Sequence, residues 1–82
     1  LLEIYLNFNQ IKKIESYSFY KVNRVSFLDL SHNNLKNFEN NTFTGLYYLE
    51  NLKLSSNLIE YIGNFLFDSL TSLIFLYLED NR

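Results

Sequence analysis

Val25-Ser26-Phe27-Leu28-Asp29-Leu30-Ser31-His32-Asn33-Asn34-Leu35 is the stretch whose reading decides the fold, because it recurs. Leu49, Leu52, Leu54, Asn57 and Ile59 repeat its pattern 24 residues later. Leu73, Leu76, Leu78 and Asn81 repeat it again after the same step, and Leu1, Ile4, Leu6, Asn9 and Ile11 precede it by that step. A fixed period of this length marks an array of stacked supersecondary units. The units run 1–24, 25–48 and 49–72, with a partial unit at 73–82.

Each unit begins with apolar residues at period two, as in Leu28 and Leu30, which predicts a short strand with one buried face. An Asn follows, and then a return segment with apolar positions at Ile14, Phe19 and Val22, at Phe38, Phe43 and Leu46, and at Ile62, Phe67 and Leu70. No strand can bury its apolar edge alone. Side-by-side stacking does so and makes equivalent strands neighbours in a parallel sheet. The Phe residues of the returns are expected to form a second apolar column. A wider return on one side than strand on the other is expected to curve the array.

Asn9, Asn33, Asn57 and Asn81 hold one position in every unit. The chain leaves the sheet there, and its backbone groups need new partners. An amide side chain both donates and accepts, so it can bond the turn of its own unit and of the next. A carboxylate could not donate, and Leu could do neither.

The recurring pattern L-x-x-L-x-L-x-x-N-x-L, continued by an apolar residue and then F-x-x-L, resembles the leucine-rich repeat family. Val25 to Leu49 match it throughout, including Phe43-Thr44-Gly45-Leu46. The period and the Phe at the nineteenth position are similar to the typical 24-residue subclass, found in Toll-like receptors, Slit proteins and small leucine-rich proteoglycans. Ile4, Ile11, Val22, Val25 and Ile59 are conservative departures from Leu. The resemblance implies an α/β solenoid. It would be a right-handed coil with a parallel sheet on its concave face and irregular return segments on its convex face. It also implies ligand docking on the concave face. The residues themselves, with no phosphate loop and no metal-ligand spacing, lead to the expectation of no cofactor and no catalysis. The sequence reads as a window on a longer array of an extracellular or cell-surface ectodomain.

The exposed strand positions lie between the ladder leucines. One column is Glu3, Phe27, Asn51, Phe75, and the next is Tyr5, Asp29, Lys53, Tyr77. Aromatic side chains dominate interface energetics, so Tyr5, Phe27, Asp29, Lys53, Phe75 and Tyr77 are the candidate ligand-binding residues. The competing explanation is that aromatic residues favour strands. Asp29 and Lys53 are lateral neighbours, which predicts a surface ion pair.

Other chemistry finds little support. Asp29, Ser31 and His32 contain the residue types of a hydrolase triad, but His32 is expected to point into the turn and no oxyanion-hole element accompanies them. Glu79 and Asp80 are too few for a hard-cation shell. The net charge of -2 argues against a nucleic-acid partner. The charge divides into +2 up to Lys36, from five basic and three acidic residues, and -4 beyond it, from two basic and six acidic. No apolar run reaches the roughly 18 residues of a membrane span, so no direct membrane insertion by this segment is expected. Asn40-Asn41-Thr42 is an N-glycosylation acceptor pattern in a return segment, where a glycan would leave the strand face free. The function that follows is recognition of a protein ligand or co-receptor. The alternatives are spacer repeats within a longer array, or an intracellular signalling scaffold.

Overall fold

A computed structural model describes residues 2–22 and 24–81. Four strands, β1 (Leu2–Tyr5), β2 (Val25–Asp29), β3 (Asn51–Lys53) and β4 (Phe75–Tyr77), form one parallel sheet in chain order. Leu28 pairs with Leu52, and Leu52 with Leu76, so the sheet register reproduces the sequence period. One irregularity falls between Leu2 and Glu3, whose partners Val25 and Phe27 straddle Ser26. Leu1, expected in the first ladder, lies outside the described residues.

Inter-unit pairing continues past the strands. Leu6 N–H donates to Asp29 C=O at 2.9 Å, Leu30 to Lys53 at 2.8 Å and Leu54 to Tyr77 at 2.8 Å. Beyond the turn, Asn34 donates to Ile11 at 2.9 Å and Leu58 to Leu35 at 2.9 Å. The Asn side chains satisfy what remains. Asn33 Oδ1 accepts from Ile11 N–H at 3.0 Å, while its Nδ2 donates to the carbonyls of Leu6 and Leu30, both at 3.0 Å, and of Ser31 at 3.2 Å. Asn57 repeats this with Leu35, Leu30, Leu54 and Ser55, and Asn81 with Ile59, Leu54, Leu78 and Glu79. Each of these three amides therefore fastens its own turn to the previous unit, as the donor–acceptor argument requires.

The core is the stacked ladder. Val25, Leu28, Leu30, Leu35, Leu49, Leu52 and Leu54 are fully buried. Behind them Phe19, Phe43 and Phe67 stack face to face, with centroids 6.2 and 6.1 Å apart. The returns wind through successive turns, such as Leu46 N–H to Phe43 C=O and Leu49 N–H to Leu46 C=O, and contain no α-helix among the described residues. Two positions differ from expectation. Val22 is exposed, although its counterparts Leu46 and Leu70 are buried. Leu66 is buried at a position where the other units carry Ser18 and Thr42. Those hydroxyls instead bond the carbonyl three residues back, Ser18 to Glu15 at 2.6 Å and Thr42 to Glu39 at 2.8 Å.

Gly45 is needed where it stands. Its φ is +103°, and a Cβ there would lie 2.9 Å from the Cα of Tyr20. The second return can approach the first this closely only without a side chain.

Candidate functional site

The sheet register aligns Glu3 with Phe27, Asn51 and Phe75, and Tyr5 with Asp29, Lys53 and Tyr77. The two predicted columns therefore share one face. Tyr5 is 60% exposed and Phe75 50% exposed, while Phe27, Lys53 and Tyr77 are half-buried. The rings pair. Tyr5 and Phe27 lie 5.1 Å apart and tilted across the β1–β2 boundary, and Phe75 and Tyr77 stack along β4 at 6.4 Å. The Tyr5 hydroxyl donates to Glu3 Oε1 at 2.8 Å, and losing that bond on ionisation pushes the phenol above its ordinary pKa.

Asp29 departs from the expected role. It is 7% exposed, and its Oδ1 accepts from the Ser31 amide at 3.0 Å and from Ser31 Oγ at 2.5 Å. Two donors on one oxygen anchor the turn, so the carboxylate is engaged inside the fold rather than offered to a partner. The expected Asp29–Lys53 ion pair does not form either. The Lys53 ammonium sits 5.3 Å from the ring centroid of Tyr77, on the opposite neighbour. An exposed lateral ion pair contributes little, and a cation over an aromatic face is a comparable alternative.

His32 also lies elsewhere than expected. It is exposed, and its ring stacks on Phe8 with centroids 4.2 Å apart and planes at 9°. Ser31 Oγ donates to Asp29, so Asp29, Ser31 and His32 form no nucleophile–base relay. Phe8, His32, Ser56 and Asp80 all adopt left-handed backbone, with φ between 56° and 60°. His and Asp tolerate this conformation, whereas a bulky aromatic residue rarely adopts it. The exposed Phe8–His32 stack beside Tyr5 is the feature that residue type did not signal. Only the equivalence of position 8 across units links it to the turn.

Outside the face, Lys13 pairs with Glu39 at 3.3 Å, and Ser16 Oγ also donates to Glu39. The Ser16 hydrogen bond, followed by Lys13, holds the Glu39 carboxyl below its ordinary pKa. Asn40 is exposed in the second return, away from the strands, and the hydroxyl of Thr42 in the same triplet is buried. There are two open grooves of about 300 Å³, one between the first and second returns and one between the third return and the end of the fourth unit. Lys12, Lys13, Lys36, Asn37, Phe38 and Glu39 line one, and Ile59, Glu60, Tyr61, Ile62, Leu78 and Asn81 line the other. Neither touches the aromatic columns. No group of His, Cys, Asp and Glu able to hold a metal and no helix long and apolar enough to cross a membrane occurs among the described residues.

The face thus offers ring area and one cation. No match to this chain is found among the curated proteins. A family model described as Leucine rich repeat matches residues 28–82, which carry the buried ladder and three of the four Asn turns; the chain belongs to that family, whose repeats serve protein–protein interaction in general.

Proposed function

We propose that this chain is a recognition segment of an extracellular or cell-surface receptor ectodomain, binding a protein ligand or co-receptor on its concave strand face. The observation that carries this reading is the exposure of Tyr5 and Phe75 on a sheet whose ladder residues in β2 and β3 are buried. The sheet pre-forms that surface, so a partner can desolvate the rings with little ordering cost. Such anchors contribute about 2 kcal/mol or more each when central to an interface. Phe27, Phe75, Tyr77 and Tyr5 then carry affinity, and Lys53 carries orientation. Asn40 lies in a return, so a glycan there leaves this face free and fits an extracellular setting.

The test is photo-crosslinking from benzoylphenylalanine placed at position 75 or, as control, at position 61. A specific adduct from position 75 alone is expected, together with loss of partner binding on combined substitution of Phe27, Phe75 and Tyr77 by Ala. Unchanged binding in that variant would leave the spacer reading. One feature favours that alternative: Tyr5 and Phe27 already pack against each other across β1 and β2, which cross-strand stability alone requires. An unmodified Asn40 in the native protein, read by mass spectrometry, would favour the intracellular scaffold.

A further inference from the structure

The charges of the strand face are unequally committed. Glu3 accepts the Tyr5 hydroxyl, and Asp29 is buried against Ser31. The Lys53 ammonium has no carboxylate oxygen within 4.0 Å among the described residues. It stands on β3 over Tyr77, with Tyr5 and Phe27 on β1 and β2 to one side and Phe75 and Tyr77 on β4 to the other. Across the strands, the order is therefore aromatic pair, single cation, aromatic pair.

The spacing selects a ligand shape. Strands about 4.8 Å apart put Lys53 roughly 7 Å from the midline of the Tyr5–Phe27 pair, and β4 roughly 12 Å from it. An extended chain rises about 3.3 Å per residue, so side chains on one face recur every ~7 Å and three of them span ~13 Å. Glu79 and Asp80 follow β4 beyond its C-terminal end, and their charge disfavours an acidic group displaced in that direction. Resting on the strand-face reading above, we infer that this face binds an extended protein segment laid across the strands with the pattern apolar–x–acidic–x–apolar, its carboxylate on Lys53. The flanking apolar side chains cover the aromatic pairs and exclude water from the ion pair, which strengthens it relative to an exposed one. Lys53 is the residue that sets specificity, and the aromatic pairs supply affinity.

The experiment is selection of phage-displayed random nonapeptides on the intact protein and on its Lys53→Glu, Lys53→Gln and Phe75→Ala variants. Peptides with Asp or Glu between apolar residues at ±2 should be enriched. Their affinity should fall at least about tenfold in Lys53→Gln, and Lys53→Glu should enrich Lys or Arg at the central position instead. Enriched peptides that are lost in Phe75→Ala but show no acidic preference, or keep it in Lys53→Glu, would overturn the charge assignment and leave the strand face standing. Absence of enrichment, or enrichment indifferent to both sites, would overturn the strand-face reading together with this inference.

Discussion

The first and second units present the same residue pattern in different surroundings. Unit 25–48 has a described neighbour on both sides, and unit 1–24 on one. Leu28 and Leu30 are 0% exposed, whereas their counterparts Ile4 and Leu6 are only partly buried. Asn33 makes four hydrogen bonds, two of them to the first unit, whereas Asn9 makes two, to Leu6 and Asn7 of its own turn. Identical chemistry is worth more where a neighbour completes it. Stability in this chain is a property of interfaces between units, as nearest-neighbour arrays require.

Matched substitutions sharpen the contrast. Leu28→Ala is expected to cost about 3–4 kcal/mol in chemical denaturation, through lost burial and the cavity left behind, and Leu6→Ala about half of that. Equal costs would mean that the ladder is not supported by stacking. Asn33→Ala strands the Ile11 amide and removes one of the two donors from each of the carbonyls of Leu6, Leu30 and Ser31, which keep Asn9, Asn57 and the Phe8 amide respectively. A loss of about 2–3 kcal/mol should follow, against about 1 kcal/mol or less for Asn9→Ala. Asn33→Asp should not restore the loss, because a carboxylate accepts but cannot donate.

The smallest effect lies on the returns. Glu39 joins the two units through Ser16 and Lys13, and its pKa is lowered in the folded state. Its contribution is complete above the unfolded-state pKa and is lost as pH falls through the depressed folded value. Titration of the Glu39 carboxyl by NMR should show that value rise in Ser16→Ala. Because the pair is exposed, the change in melting temperature should be slight.

The scaffold was legible in the sequence because its physics repeats. Leu at period two, Asn at one position and Phe at another each answer a requirement that every unit shares, and repetition separates that requirement from chance. Positions that vary between units gave less away. Position 18 carries Ser18, Thr42 and Leu66, and only the packing shows that two of them bond a carbonyl while the third fills the core. Asp29 and Lys53 read as partners from their column. Whether they meet depended on the Ser31 donors behind one and the Tyr77 ring beside the other.

The sequence by itself determined the period, the parallel sheet, the Asn ladder and which columns face outward. These follow from local pattern and from the donor–acceptor inventory of one side chain. The tertiary structure alone decided which outward residues are available. Asp29 is taken up by its own turn, Phe8 is held in left-handed backbone against His32, and Lys53 lies half-buried over the Tyr77 ring with no carboxylate oxygen within 4.0 Å among the described residues. Availability depends on what neighbouring units already satisfy, and that is a property of contacts between segments 24 residues apart rather than of any residue's own type.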